Sequence, residues 1–457
     1  MPARAAGMPL VAPPSLDVPV NVLPARRLRG ELRLPGDKSV SHRTLMLALL
    51  ATGETRIKGA GDGANVRSTA GIVRALGADV SRSAGAGANV DYVVRSKGAG
   101  HLAEPNEALD CGNSGTSMRL FAGILAGQRL RATLDGDASL RRRPMARIVE
   151  PLQAMGASIS GGGPDATLPP ISVGAAGALH AIDWATPVAS AQVKSAILLA
   201  GLSAAGTTTV REPVATRDHT ERMLRARGVA VRSHIDADGR NVVQIDGPAT
   251  VNAVDQVVPG DPSAAAFWLV AGAIHPDAEI RLRSVGVNPT RRAVIDLLQR
   301  MGASIVERGP ADDGVGEPIA DLRVESSDLE GIELSPVDTA AAIDEIPILC
   351  LAATQACGTT VIRGAGELRH KESDRIAGTV DGLTALGARI SADGDDIAID
   401  GPTELSGATV DSFGDHRLAL TFAIAGLVAT GPTTIRGADS VAISYPTFFA
   451  DLERIRA

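Results

Sequence analysis

Residues 34–59 read LPGDKSVSHRTLMLALLATGETRIKG, and the run RTLMLALLA within them is apolar almost without interruption. A run this short predicts a helix buried inside a globule, since a membrane span needs about 18 or more apolar residues. The Thr- and Arg-containing stretch after it predicts a strand. Lys38, Ser39, His42 and Arg43 crowd the start of the helix. Cations normally favour the opposite end, because the first turn carries unpaired amide N–H groups and partial positive charge. Basic side chains here therefore point to an anion that completes the site. The plain alternative is a solvated helix end with an ordinary serine cap.

The pattern returns. GNSGTSMRLFAGILAGQRLRATL, VASAQVKSAILLAGLSAAGTTTVREP, GDPSAAAFWLVAGAIHPDAEIRLRS, AIDEIPILCLAATQACGTTVIRG and GDHRLALTFAIAGLVATGPTTIRG make six copies with the first. Each has a polar turn, an apolar helix, a Gly or Pro, and a strand. Most are followed by an amphipathic helix ending at a glycine that suits a C-cap, as in VRSTAGIVRALGADV and RRAVIDLLQRMGASI. The spacing of roughly 75 residues is longer than a solenoid repeat, so each unit is an α/β module. Six modules predict two domains of three. A helix apolar all round is buried, which leaves its polar start at an exposed end. Three such starts in each domain, facing one another, would line a cleft ready for anions.

At 457 residues the chain is too long for one ordinary core. With 44% apolar and 21% charged residues it reads as a soluble globular protein. A net charge of −7 and only ten aromatic residues argue against general nucleic-acid binding, so any basic site is local. Cys111, Cys350 and Cys357 form no paired framework and lie in or beside apolar segments, which predicts buried thiols in a reducing, cytoplasmic setting. The opening MPARAAGMPLVAPPSLDVPV lacks a continuous signal-peptide core and reads as a loose extension.

The chain after about residue 28 resembles the 5-enolpyruvylshikimate-3-phosphate (EPSP) synthases, class II-like, through PGDKSVSHR, GNSGTSMR, RRRPMAR, SAQVKSA, TRDHTE, IDEIPI, HKESDR and GDHRLA in this order. Singly each is weak; together they are specific. The resemblance implies an α/β fold of two domains, each of three βαβαββ repeats, an inside-out α/β barrel. It places an N-terminal extension and the first part of a split domain in 1–36, a three-repeat domain in 37–260 and the remainder of the split domain in 261–457, with crossings near Gly36 and Gly260. The implied activity joins phosphoenolpyruvate to shikimate 3-phosphate. It needs no metal or organic cofactor and implies no nucleic-acid or membrane partner, with the enzyme a monomer.

By the same resemblance Lys38 serves both substrates, and Ser39, Arg43, Ser190, Ala191, Gln192, Arg217, Asp344 and Lys371 bind shikimate 3-phosphate. Asn113, Gly115, Arg143, Gln192, Arg375 and Arg417 map to the phosphoenolpyruvate site. Asp344 would take the proton of the 5-hydroxyl and Glu372 would protonate the methylene, with Lys38 stabilising charge. Glu345 and Asp374 read instead as caps or ion-pair partners, and Arg141 and Arg142 as a solvated face. A lone SAQ would be mere capping and Gly115 a mere turn glycine outside this context. The herbicide glyphosate inhibits the family at the phosphoenolpyruvate site, and tolerant class II members typically carry Ala where this chain has Gly115.

Ile443 stands where many members carry Lys, which puts one phosphoenolpyruvate contact in doubt. Eight histidines show no metal-ligand spacing. Two rival readings fit the residues less well. A carboxyvinyl transferase acting on a uridine-diphosphate amino sugar would need a reactive Cys, and DGDASLRRRPMAR has none. A non-catalytic anion-binding module would not need Asp344, Glu372 and Lys38 together.

Overall fold

The computed structural model describes residues 19–175, 177–309 and 316–456; the loose extension expected at the start lies, up to residue 18, outside the described residues. The six apolar runs form helices α1 (Lys38–Leu50), α2 (Gly115–Ala126), α3 (Ala191–Gly201), α4 (Pro262–Ile274), α5 (Ile346–Thr354) and α6 (His416–Val428). They are buried on every face, as their sequences require: in α4 every residue from Pro262 to Ala273 is buried. Side chains cap the starts of five, with Asp37, Ser114, Ser190, Asp261 and Asp415 each accepting a backbone N–H of the first turn.

Six small sheets surround these helices among the described residues. Five share one plan, in which a strand following the buried helix pairs parallel with one edge strand and antiparallel with the inner strand of a hairpin. In the first, Thr52–Ala60 lies between Gln256–Val257 and Val90–Lys97, and Asp79–Ala84 closes the far edge. The fourth takes its parallel edge, Leu28–Arg33, from the start of the chain. The sixth has no hairpin of its own: Thr433–Arg436 pairs parallel with Thr409–Asp411 and antiparallel with Val20–Val22. The amphipathic helices end as expected, with Gly77, Gly156, Gly302 and Gly387 all at positive φ, where only glycine is unstrained.

Buried apolar side chains fall into two separate cores. One is built from residues between Val40 and Val258, the other from Val22 to Leu34 together with Ala264 to Ile455. The chain passes between them twice, at one place. Gly36 and Gly260 form an antiparallel bridge, Asp37 N donates to Pro259 O at 2.7 Å, and Asp261 N donates to Pro35 O at 2.9 Å. Backbone crowds this crossing so closely that a Cβ on Gly36 would lie 2.0 Å from Gly59 O and 2.8 Å from Gly61 N. The helices α1 and α4 therefore begin side by side, one in each core.

Cys111 and Cys350 are buried, but Cys357 is exposed, which corrects the expectation of three buried thiols. Helix α5 ends at Thr354, so Cys357 falls in the turn before strand Gly358–Ile362, outside the packed run.

Gly36→Ala should destabilise the protein by about 1–3 kcal/mol or prevent folding, because backbone rather than a movable side chain occupies the space. Gly71, in helix Ala64–Ala75 with nothing within 4 Å of its would-be Cβ, is the control. Its change to Ala should stabilise by about 0.5–1 kcal/mol. Denaturant midpoints of the two variants read the contrast.

Candidate active site

The starts of the buried helices gather the basic side chains that the sequence placed there. Lys38 and Ser39 open α1, and Lys38 N donates to Asp261 Oδ2 at 3.1 Å, across to the other core. Burial lowers the pKa of the Lys38 ammonium and Arg417 adds to this, while Glu372, Asp261 and Asp344 oppose it. Arg43, one turn further on, is 4% exposed and has no ion-pair partner among the described residues. It donates to Thr220 Oγ1 at 2.8 Å, Ser39 O at 3.1 Å and Ser195 Oγ at 3.0 Å. Burial pushes its pKa down to about 10.

Helices α2 and α3 meet at their first turns. Ser190 caps α3, Ala191 is its first residue, and Gln192 donates to Thr116 Oγ1 at 2.9 Å while accepting from Arg119 Nη1 at 2.5 Å. Gly115 opens α2, where a Cβ would lie 2.8 Å from Arg119 Nη1 and 3.6 Å from Arg143 Nη1. Arg143 donates to Asn113 Oδ1 at 2.7 Å, and Asn113 in turn donates to Asp137 Oδ2 at 2.7 Å. Arg141 and Arg142 are exposed, and Arg141 pairs with Asp135.

The second core supplies the carboxylates. Asp344 lies in a single 3-10 turn before α5, ringed by Lys371 Nζ at 3.8 Å, Arg375 Nη1 at 3.6 Å and Arg417 Nη2 at 3.9 Å. A fourth cation reaches it from the first core: Arg217 Nη2 donates to Asp344 Oδ2 at 2.9 Å. Burial alone would raise the Asp344 pKa, but Arg417, Lys371, Arg217 and Arg375 outweigh it and hold the carboxyl well below its ordinary range. Glu372 accepts from Arg375 Nη2 at 2.6 Å. Burial again works to raise its pKa; Arg375 and, from the first core, Arg143 prevail and hold it at about 2.

Arg375 and Arg417 of the second core are each fixed by carboxylates. Arg375, 1% exposed, donates through Nε to Asp415 Oδ2 at 2.8 Å. Arg417 donates to Asp344 O at 2.7 Å and Glu345 Oε1 at 3.2 Å. Asp374 caps the helix Arg375–Ala385 through Ile376 N and Ala377 N. The structural reading of Glu345 and Asp374 agrees with these contacts. His416, beside Arg417, is pushed down to about 3 by burial, so it is neutral at ordinary pH. Among the described residues no group of His, Cys, Asp and Glu could hold a metal ion, and no helix is long and apolar enough to cross a membrane.

The structure joins the expected residues in separate chains of contact: Lys38 to Asp261, Gln192 to the start of α2, Arg143 to Asn113, and Arg217, Lys371, Arg375 and Arg417 around Asp344, with Ser190 and Ala191 at the start of α3. Sequence reading missed Arg119, Ser195, Thr220 and Asp415. Arg119 could have been found, since it follows Gly115 by four residues and shares its helix face. The others could not: Asp415 orients Arg375 from 40 residues away. Ile443, whose role was in doubt, approaches the first core through its carbonyl, 2.6 Å from where a Cβ on Gly63 would sit.

The fold matches the enolpyruvyl transferase NikO of Streptomyces tendae at a TM-score of 0.75 and 20% identity, covering 96% of this chain and 97% of that one. Finer comparisons go further. The family model for EPSP synthase (3-phosphoshikimate 1-carboxyvinyltransferase) matches residues 22–452. A 3-phosphoshikimate 1-carboxyvinyltransferase of Gloeobacter violaceus is 51% identical over 437 residues, 95% of this chain and 98% of that protein. One of Bacillus cereus is 47% identical over 428 residues, 94% of this chain and 97% of its own length. An EPSP synthase of Acinetobacter baumannii superposes at a TM-score of 0.85 with 41% identity, over 95% and 98% of the two chains. This chain belongs to the EPSP synthase family.

Because the folded pKa of Glu372 lies below its ordinary 4.5, its contribution to stability is complete above about pH 4.5 and is lost as pH falls toward about 2. Melting temperature should therefore fall more steeply across that window in the parent than in Glu372→Gln, whose side chain cannot titrate. Parallel curves would mean that Arg375 does not hold the carboxylate charged.

Proposed function

We propose that the chain transfers the enolpyruvyl group of phosphoenolpyruvate to the 5-hydroxyl of shikimate 3-phosphate and releases phosphate, on the shikimate pathway to chorismate and the aromatic amino acids. The observation that carries this reading is the 2.9 Å contact from Arg217 of one core to Asp344 of the other, made within a ring of three further cations. A carboxylate held by that many cations is matched to a highly anionic ligand, whose phosphate and carboxylate groups can take over the cations and release it.

In this scheme the phosphate of shikimate 3-phosphate draws on Ser39, Arg43, Arg217 and the starts of α1 and α3 at Ser190 and Ala191, with Lys371 alongside. Asp344, relieved of Arg217, accepts the proton of the 5-hydroxyl as its oxygen attacks the central carbon of phosphoenolpyruvate. Arg143, Arg375 and Arg417 take the anionic groups of phosphoenolpyruvate, with Asn113, Gly115 and Gln192 at its edge. Neutralising Arg375 and Arg143 removes what depresses Glu372, so its pKa rises toward a range where it can donate to the methylene carbon. The tetrahedral adduct then loses a proton from the new methyl group and expels phosphate. Lys38 faces both acids and offsets the charge that builds between them. We further read the two cores as domains dividing near residues 36 and 260 that close on the substrates. The enzyme works as a single chain in the cytoplasm, a setting that three unpaired thiols suit.

The decisive test is phosphate release from phosphoenolpyruvate with and without shikimate 3-phosphate. Release that depends on this acceptor is the expected result; binding of both anions with no release would leave an anion-binding module. Asp344→Asn and Glu372→Gln should each lower kcat by about 10²- to 10⁴-fold. Calorimetry should find shikimate 3-phosphate still bound by Glu372→Gln, and a variant with parental kcat removes that residue from the scheme.

Gly115→Ala gives a separate check. Its methyl group would meet the side-chain ends of Arg119 at 2.8 Å and Arg143 at 3.6 Å, not backbone, so the pocket narrows without breaking the helix start. A longer inhibitor suffers more than the substrate. The inhibition constant for glyphosate should rise by a larger factor than KM for phosphoenolpyruvate, and equal factors would defeat the steric explanation.

A further inference from the structure

One loop of the first core, together with the helix it enters, makes a cluster of polar contacts to the second. Residues 213–218 leave strand Gly206–Glu212 and enter helix His219–Ala226. Arg217 reaches Asp344 at 2.9 Å. Asp218 Oδ1 accepts from Asn288 Nδ2 at 2.8 Å and Thr290 Oγ1 at 3.1 Å. His219 Nδ1 lies 2.8 Å from Glu317 Oε1, and Arg222 Nη1 donates to Gly316 O at 3.3 Å. A segment pulled from one side in this way needs an anchor on the other.

The anchor is a buried cation. Lys194 of α3 is 0% exposed, and its Nζ lies 2.9 Å from Glu212 Oε2, 2.7 Å from Glu221 Oε1 and 3.3 Å from Thr216 O. An ammonium has three N–H groups, and here each has one acceptor, taken from before, within and after the loop. Glu212 is tied further, to the Thr216 hydroxyl and to Asn241 Nδ2 at 2.9 Å. Burial opposes the charge on Lys194, but Glu221 and Glu212 outweigh it and raise its pKa, so it stays protonated. Burying a lysine with two carboxylates is not a cheap way to fill a core, since an apolar side chain of the same length packs as well without desolvating three charges. The arrangement is specific to holding the backbone of this loop. It also adjoins the phosphate side of the site: Ser195, the next residue, bonds both Arg43 and Thr220.

We infer that Lys194 is a positioning residue for shikimate 3-phosphate, acting through Glu212, Thr216 and Glu221 to hold loop 213–218 so that Arg217 stands at the site. It touches no substrate itself. This rests on the functional reading above.

The test combines Lys194→Met, Arg217→Ala and the double variant in the full chain. In Lys194→Met, KM and the calorimetric Kd for shikimate 3-phosphate should both rise by about ten- to a hundredfold, the usual effect of a misplaced binding group. KM for phosphoenolpyruvate should change far less. With Arg217 already gone, the same substitution should do little more, because the two act in series. Simple loss of stability lowers the active fraction and hence kcat, not one KM. Independent, multiplying losses would overturn the inference. Should Lys194→Met not fold, Glu212→Gln and Thr216→Val keep the ammonium and loosen the same link, and the same shift in smaller measure is expected. Amide exchange across residues 213–218 needs no substrate: it should quicken in these variants, and unchanged protection overturns the inference. A parent that binds no shikimate 3-phosphate would instead overturn the functional reading and leave the exchange result to decide the anchor.

Discussion

Where Gly36 and Gly260 pair, two strands carry the chain between its cores, and each is followed at once by a capping aspartate and a buried helix. Burial, and then the neighbouring Asp261, raises the pKa of Asp37. Arg291 answers both, 3.9 Å from Asp37 and 3.2 Å from Asp261. Its guanidinium also donates to Ser263 Oγ at 2.8 Å, which passes the contact on to Glu345. From this point the geometry of the site follows, because Lys38 begins α1 beside Asp261, and Glu345 adjoins Asp344 and fixes Arg417. Gly36, with backbone where its side chain would stand, lets the two segments approach closely enough for this to happen.

The site itself is a standing balance of charge. Arg217, Lys371, Arg375 and Arg417 are paired with the site's own carboxylates, so groups suited to an anion also hold the site together. Asp344 answers four cations, and Arg375 divides its donors between Glu372 and Asp415. Buried charges left unpaired would cost several kcal/mol each, so such a site must be built as a network or not at all. In the proposed reaction, the ligands would take over these cations and free the two carboxylates. On that proposal, electrostatics couples binding in one core to proton transfer by groups of the other.

Much of this was legible in the primary structure because it is local. The helices α1 to α6 announce themselves as unbroken apolar runs, and the glycines at positive φ mark where the amphipathic helices end. The basic helix start at Lys38 and Arg43 is visible without coordinates, as are the two acid-bearing motifs. Less visible was the repair of the sixth sheet. Its missing strand is Val20–Val22, more than 400 residues from its partner Ile435, and three residues carry too little pattern to declare a pairing. Cys357 misled for a related reason: an apolar run says that a helix is buried, but not at which residue it leaves the core.

The sequence by itself determined the modules, their number and the chemistry stationed at their ends, since hydrophobic period, capping residues and charge all act within a few residues along the chain. Only the tertiary structure decided which ends meet. That Arg217 should face Asp344, that Asp415 should orient Arg375, and that Lys194 should close a ring with Glu212 and Glu221 depend on how two cores stack about a single crossing. Coulomb energy depends on distance in space, and separation along the chain does not fix that distance until the chain has folded.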